Sequence, residues 1–176
     1  MSILNLHYKI GLRALKTALA VFLCLIADRL LGGRDAFYSA IAAIICIQPT
    51  PEQSKMTGIN RFIGTLIGGL CGYLVLRLSE HIPQYDYTAL VIIPLGLLVN
   101  IYICNVINKQ EAVPICCVVY LSVVTHFART ITSTEWYVLN RIIETTIGIL
   151  IAVLVNKEIR AYREPAAPAP PDKNKN

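Results

Sequence analysis

Six apolar stretches make up most of this 176-residue sequence and constrain its fold more than any other feature. A helix needs ~20 mainly apolar residues to cross the ~30 Å hydrocarbon core of a bilayer, because each residue rises ~1.5 Å. Apolar residues form 55 % of the chain and charged residues 15 %, whereas soluble domains have roughly a quarter of their residues charged. The sequence therefore predicts an all-α, polytopic membrane protein of about six transmembrane helices. The predicted spans are residues 10–28, 36–48, 57–78, 87–106, 111–128 and 136–156.

Prolines mark the end of the second span and the first turn of the fifth. The second span is short and is closed by Gln48-Pro49-Thr50-Pro51. Proline stops a helix because it has no N–H group and restricts the residue before it. We expect this span to be tilted, to be packed inside the bundle, or to extend through Arg34-Asp35. The fifth span has Pro114 in its first turn, where proline is tolerated.

The distribution of lysine and arginine predicts the orientation, because short cytoplasmic loops are enriched in both. With six crossings and the N-terminus inside, nine such residues up to Arg163 are cytoplasmic and five are outside. Residues 1–9 then form a cytoplasmic N-terminus, 10–157 the transmembrane domain and 158–176 a cytoplasmic tail. From about residue 165 the tail is polar and rich in proline, a composition typical of disorder.

An internal repeat relates the third and sixth spans. Residues 60–75 read NRFIGTLIGGLCGYLV and residues 140–155 read NRIIETTIGILIAVLV, with nine of sixteen positions identical. The shared polar set Asn-Arg-x-x-x-Thr-x-x-Gly is not expected from two unrelated apolar helices. Each unit holds three crossings, so the second unit must be inverted relative to the first. The sequence thus predicts two inverted three-helix repeats, at about 10–78 and 87–156, an arrangement that recurs in secondary transporters.

Arg61 and Arg141 are the leading candidates for a binding site. Each is expected about one turn into its helix, where a cation opposes the helix dipole and does not serve helix stability. Inversion predicts Arg61 near the cytoplasmic face and Arg141 near the outer face, as anion-attracting residues at the two mouths of one pathway. The alternative is an arginine that extends to lipid headgroups. Their occurrence as a matched pair in a repeat favours the anion sites.

Glu144 follows Arg141 by one turn, where the first copy has Gly64. A carboxylate within a span is energetically costly and faces the bundle interior or water. The (i, i+3) spacing allows an ion pair with Arg141, while the other interpretation is a protonatable group that couples proton movement to transport. Both interpretations stay open. Supporting polar contacts to the anion are expected from Lys16, Asn60, Asn140, Thr65 and Thr145.

Glycines at four-residue spacing predict close helix packing, because lipid supplies no hydrophobic drive between helices and small residues let backbones approach. These are Gly64, Gly68 and Gly72, with Gly148 in the second copy. We expect the ladder to support assembly of a dimer. The six cysteines all lie in apolar runs and none has a CxxC spacing, so we interpret them as small packing residues and expect no metal site.

Signatures of common enzymes are absent from the sequence. It contains no HExxH, GxSxG, GxxxxGK[ST] or GxGxxG pattern. A basic surface with interleaved aromatic residues, typical of nucleic-acid binding, is also absent. We expect no enzymatic activity, no cofactor and no nucleic-acid partner.

Four segments resemble the aromatic acid exporter family, within the broader fusaric acid resistance superfamily. They are GLRALKTALAV at 11–21, AAIICIQPT at 42–50, GINRFIGTLIGGLCGYL at 58–74 and NRIIETTIGILIAVLVN at 140–156. The resemblance implies a six-helix membrane domain that exports aromatic carboxylates and similar organic anions. It also implies a homodimer, because related plant anion channels work as dimers with basic residues lining the pore and this chain holds a single membrane half. Many relatives also carry a cytoplasmic helical domain, where this chain has a short tail.

These observations predict a transporter subunit of the bacterial inner membrane. Its expected partners are the lipid bilayer, small organic anions and a second copy of the chain. The alternative is a non-transporting membrane scaffold or accessory subunit.

Overall fold

The computed structural model describes residues 12–32, 36–79, 86–127 and 134–161. Within these ranges every regular element is helical. The six α-helices are α1 (Leu12–Leu30), α2 (Phe37–Cys46), α3 (Pro51–Ser79), α4 (Asp86–Val106), α5 (Val113–Phe127) and α6 (Thr134–Ala161), and a 3-10 turn (Gln110–Ala112) precedes α5. They coincide with the six predicted stretches, so the all-helical fold is confirmed. The expectations for residues 1–9, for the tail beyond residue 161 and for Arg34-Asp35 lie outside the described residues.

Two of the six helices are long and apolar enough to cross a membrane. They contain the segments Pro51–Leu78 and Glu135–Ile159, and the shorter apolar segments are Phe37–Cys46, Leu90–Val106 and Gln110–Thr125. The second helix has 10 residues and is therefore about 15 Å long, about half of the hydrocarbon core. This pattern is consistent with a membrane protein, while six complete crossings stay a prediction.

Local chemistry explains where the helices begin and end. The second helix ends at Cys46, before the two prolines, and Pro51 opens the third at a position where its missing N–H is not needed. The hydroxyl of Thr50 accepts a hydrogen bond from the backbone N–H of Gln53 at 3.2 Å and so caps the new helix. Asn108, with φ 55°, provides the left-handed residue that ends α4.

Large apolar side chains of α3 point away from the rest of the chain. They form one stripe of Phe62, Leu66, Leu70, Leu74 and Leu78, all exposed. The interior is richer in small side chains, and its largest cluster among the described residues is built mainly from alanine and cysteine, including Ala20, Cys24, Ala43, Cys46 and Ala152. Bulky apolar groups outside and small residues inside are typical of helices packed within a bilayer.

The long helices α3 and α6 cross in antiparallel orientation at the centre of the bundle. A Cβ atom placed on Gly58 would lie 2.6 Å from Ile149, and one placed on Gly69 would lie 3.1 Å from Val138. Moving eleven residues forward along α3 thus corresponds to moving eleven residues backward along α6. Around this pair, α3 also packs on α5, α6 packs on α2, α1 packs on α2 and α6, and α4 packs on α5.

The glycine ladder of α3 packs against α5 of the same chain. A Cβ atom on Gly64 would lie 2.7 Å from the carbonyl oxygen of Ala112, and one on Gly68 would overlap the carbonyl of Cys116. Gly72 faces the next turn of α5. The expectation that this ladder joins two subunits is therefore wrong, because its surface is already covered within one chain.

Gly148 occupies the corresponding position of α6 and packs on α2. A Cβ atom there would meet the carbonyl of Ser39 and would lie 2.7 Å from the Cβ of Ala42. Gly68 and Gly148 are the same position of the repeat, so each copy places its glycine against the second helix of the other unit.

Candidate anion-binding site

The repeated Asn-Arg motif lies inside its helices and not at their ends. Arg61 follows the first residue of α3 by ten positions, and Arg141 follows the first residue of α6 by seven. Helix-dipole effects fall off within the first turn. The expected placement one turn into each helix is therefore wrong, and the dipole argument does not apply to either arginine.

The crossing of α3 and α6 brings the two arginines close together. By the register of the two helices, Arg61 lies opposite Thr146 and Arg141 lies opposite Leu66. Leu66 is five residues beyond Arg61 along α3. At ~1.5 Å per residue the two positions differ by only about 7.5 Å along the helix axis. The charge of Arg141 also acts on that of Arg61. The arginines thus flank the crossing point, which corrects the expectation that they mark opposite mouths of a pathway.

The Arg61 side chain is buried on the inward face of α3. Its residue is 5 % exposed, and its Nε and Nη1 groups find no hydrogen-bond partner among the described residues. The thiol of Cys46, on α2, and the guanidinium of Arg141 are among the groups that act on its charge. A buried guanidinium with donors left over is costly unless a further acceptor is supplied.

Arg141 is buried to the same extent but has different neighbours. It is 6 % exposed, and its Nε and Nη1 likewise have no hydrogen-bond partner within the described part of the chain. Its guanidinium carbon lies 3.3 Å from the centroid of the Tyr38 ring, a cation–π contact. Glu144, buried at 7 % exposure, and Tyr137 also act on its charge.

The two asparagines of the motif are incompletely satisfied. Asn60 donates from Nδ2 to the carboxylate of Glu111, and the pair lines an open polar cleft together with Lys109 and Asn108. Its Oδ1 atom, and that of Asn140, are buried and have no partner among the described residues. Each copy of the motif therefore offers a buried acceptor beside a buried cation.

The two threonines of the motif lie in the same interior. Thr65 is 1 % exposed and Thr145 is 2 % exposed. The hydroxyl of Thr65 donates to the backbone carbonyl of Arg61 at 2.9 Å, so its proton is used within the helix. Thr65 therefore acts first as a helix-packing residue near the arginine.

Lys16 belongs to a separate hydrogen-bond network, which is centred on Asn156, fifteen residues beyond Arg141 on α6. Its Nζ donates to Oδ1 of Asn156 at 2.9 Å. The amide nitrogen of Asn156 donates to the carbonyl of Gln48 at 2.8 Å and to Oγ of Ser54 at 2.6 Å. The network joins α1, α6, the segment that connects α2 to α3, and the first turn of α3. The structure thus does not bring Lys16 to the arginines, contrary to the sequence-based expectation.

Several polar residues of the interior were missed by the sequence reasoning. Asn156, Ser54 and Asn100 are each at most 1 % exposed, and Asn100 accepts a hydrogen bond from the thiol of Cys116 at 3.1 Å. A single amide inside an apolar run is the signal that could have identified the two asparagines, because such a residue must find a partner in the bundle. Glu111 carries no such signal, because it lies in a polar turn.

The described residues contain no group of three or more His, Cys, Asp or Glu side chains that could hold a metal ion. All six cysteines are free thiols, four of them buried. Cys24, for example, donates from its thiol to the carbonyl of Ser39 at 3.6 Å. The thiols are thus used in helix packing and in local hydrogen bonds.

Comparison with known proteins places the chain in a family. Residues 8–159 match the family model described as aromatic acid exporter family member 1. A UPF0421 protein of Staphylococcus haemolyticus is 29 % identical over 154 residues, covering 84 % of this chain and 42 % of that protein. The uncharacterized protein YqjA of Bacillus subtilis is 27 % identical over 165 residues, covering 89 % and 48 %. No solved structure matches the chain significantly.

The chain spans less than half the length of the curated relatives that it matches. The family match, in contrast, extends from the residues before α1 almost to the end of α6 and includes both copies of the repeated motif. The chain belongs to the aromatic acid exporter family.

Proposed function

We propose that the chain is a membrane transport unit that moves small organic anions, aromatic carboxylates among them, across the bacterial inner membrane. The observation that carries this proposal is the pair of buried arginines at equivalent positions of the repeat, each with two N–H donors lacking a partner in the described residues. Charged residues inside a membrane domain are costly and usually functional. Guanidinium is also the group best matched in shape to a planar carboxylate.

We propose that this site lies in a domain that crosses the membrane six times. The crossings form two inverted three-helix repeats, and both termini are cytoplasmic. Three observations support the arrangement. The helices α3 and α6 are antiparallel, and the Gly58–Ile149 contact has its repeat equivalent in Val138–Gly69. In addition, α3 packs on α5 as α6 packs on α2. Alternating access between two such repeats would expose one central site to each side in turn.

The membrane potential can drive the export of an anion. An inside-negative potential favours outward movement by ~2.3 kcal/mol per charge per 100 mV. Glu144 is the candidate for an additional proton-coupling step. It lines a small cleft between α1, α2 and α6 together with Asp28, and this second carboxyl group supports a proton route to Glu144 from that side.

The transporter that we propose works as a homodimer in the bilayer.

The second candidate function is a non-transporting membrane scaffold. The observation in its favour is the 10-residue length of α2, which suits a packed structural helix as well as a broken helix of a transporter.

Flux into or out of proteoliposomes tests the proposal. Purified protein would be reconstituted with an internal panel of carboxylates, such as benzoate, and efflux would be followed with and without an inside-negative potential. We expect efflux of at least one carboxylate to exceed that from protein-free vesicles and to rise with the potential. If no member of the panel leaves faster than from empty vesicles, the scaffold function replaces the transporter.

A further inference from the structure

The two arginines are equivalent in sequence but differ in their source of negative charge. One turn after Arg141, at the (i, i+3) spacing that makes two helix side chains neighbours, the second copy has Glu144, and both residues are buried, at 6 % and 7 % exposure. One turn after Arg61 the first copy has Gly64. The second copy thus carries its own counter-ion, and the first copy has none at the matching position.

Packing excludes a carboxylate from that position of the first copy. A Cβ atom on Gly64 would lie 2.7 Å from the carbonyl oxygen of Ala112 and 2.9 Å from Ile115. Backbone of the same chain therefore fills the place where Glu144 stands in the second copy. The carboxylate that contacts the first copy, that of Glu111, accepts from Asn60 and is exposed in the open polar cleft, so it does not take the place of a buried counter-ion for Arg61.

The charges of the central site do not balance. The two guanidinium groups keep their charge inside a protein, and ionised Glu144 contributes one negative charge. One positive charge remains, and it lies in an interior where an uncompensated ion is strongly disfavoured. The repulsion from Arg141 adds to this imbalance at Arg61. A single monovalent anion would remove it.

We propose that Arg61 binds one exchangeable monovalent anion, a halide or a monocarboxylate, while Arg141 is neutralised within the protein by Glu144. The Nε and Nη1 groups of Arg61, which lack partners in the described structure, donate to this anion. Arg141 also has Nε and Nη1 groups without partners in the described structure, but its cation lies on the Tyr38 ring at 3.3 Å and next to Glu144, so it takes up an external anion only when Glu144 loses its charge. The assignment deepens the transport proposal, and it rests on that proposal only for the movement of the bound anion.

Two consequences follow for binding. The chain should hold one anion when Glu144 is ionised, and chloride and a carboxylate should compete for the same place. When Glu144 is protonated or replaced by glutamine, Arg141 loses its counter-ion and a second anion should bind. An anion passing from Arg61 to Arg141 would then require a proton on Glu144.

Equilibrium binding of radiolabelled chloride and benzoate to the full chain, in nanodiscs of zwitterionic lipid, tests the assignment. We expect one competitive site per chain in the natural protein, at least tenfold weaker binding in Arg61→Gln, and two anions per chain in Glu144→Gln. The matched control is Arg29→Gln, which changes an exposed arginine of α1 and should bind as the natural protein does. If Arg61→Gln does not fold, Arg61→Lys serves instead, with chloride binding kept and benzoate binding weakened.

Several results would overturn the assignment. These are no binding by the natural protein, two anions per chain in the natural protein, unchanged binding in Arg61→Gln, or a single anion in Glu144→Gln. Adding anionic lipid should leave binding unchanged, and competition by it would identify a lipid headgroup as the ligand. Arg61-dependent binding without flux would refute transport and leave the anion site of Arg61 in place. Flux together with unchanged binding in Arg61→Gln would refute the anion site and leave transport in place.

Discussion

The guanidinium of Arg141 stacks on the ring of Tyr38, with 3.3 Å between the guanidinium carbon and the ring centroid. The contact connects α6 to the first turn of α2. The hydroxyl of Tyr38 lies 3.0 Å from that of Tyr137, so the ring is held at its outer edge as well. An aromatic face is thus part of the way in which the bundle tolerates a buried cation.

Two variants separate the ring of Tyr38 from its hydroxyl. Tyr38→Phe keeps the cation–π contact and loses the bond to Tyr137, which should cost about 1 kcal/mol of folding stability. Tyr38→Leu also loses the ring beneath Arg141, and a desolvated cation–π contact contributes about 2 kcal/mol more. Chemical unfolding in detergent would measure both. Equal stability of the two variants would show that the ring does not stabilise Arg141.

Neighbouring glycines of α3 offer a matched test of helix packing. In Gly68→Ala the new methyl group would overlap the carbonyl of Cys116, part of a backbone that cannot move aside. We expect a loss of about 1–3 kcal/mol, as is usual for overpacking. In Gly69→Ala the nearest atom is a side-chain carbon of Val138 at 3.1 Å, which can rotate away, so the loss should be smaller.

Thermal unfolding at several protein concentrations would compare the two glycine variants. Because the Gly68 contact lies within one chain, its effect on Tm should not depend on concentration. A loss that disappears at high protein concentration would instead assign Gly68 to a subunit interface.

The sequence predicted the helices well because apolar length and proline breaks are local properties. The Gln48-Pro49-Thr50-Pro51 segment ends α2 and begins α3 as its chemistry requires. The depth of the repeated motif was not predicted, because α3 extends six residues before its apolar core, from Pro51 to the predicted start at residue 57. Polar residues such as Glu52 and Lys55 can begin a helix before it becomes apolar, so apolarity alone misplaces the helix end.

The site was predicted only in part, because its geometry depends on how distant helices cross. The repeat identified Arg61 and Arg141 as a pair from sequence alone. That the pair flanks a crossing follows from the register of Gly58 against Ile149, and no local pattern determines that register. Lys16 was grouped with the arginines because charge within an apolar run suggests function, and its partner Asn156 lies 140 residues away.

The Asn156 network should stabilise the fold and leave the anion site unaffected. Asn156→Ala removes one acceptor and one donor group from a buried network of Lys16, Gln48 and Ser54, with an expected loss of about 3 kcal/mol. Lys16→Met removes one bond, at about 1 kcal/mol. Neither variant should change the KM for a carboxylate by more than about twofold, because sites that share no contacts are usually coupled by no more than about 0.5 kcal/mol.

Flux assays on these two variants would be corrected for the amount of folded protein. A tenfold higher KM in Lys16→Met, at unchanged Tm, would return Lys16 to the anion pathway.

The proposed topology makes a simple prediction about location. A reporter that is active only in the cytoplasm should give signal when fused after Lys157 and none when fused after Glu80, because three crossings separate the N-terminus from Glu80 and six precede Lys157. Protein level would be measured by a common epitope tag. Signal from both fusions, or the reverse pattern, would remove the inverted six-helix arrangement.

The central claim is that Arg61 and Arg141 bind the transported anion through the charge and the planar shape of their guanidinium groups. Arg→Lys keeps the charge but loses the planar, bidentate fit to a carboxylate, and Arg→Gln loses both. Efflux of a carboxylate from proteoliposomes, at matched abundance of folded protein, is the measurement that tests it most directly. At each position we predict a decrease from the natural residue through Lys to Gln. Equal flux for the natural protein and both Gln variants would contradict the claim.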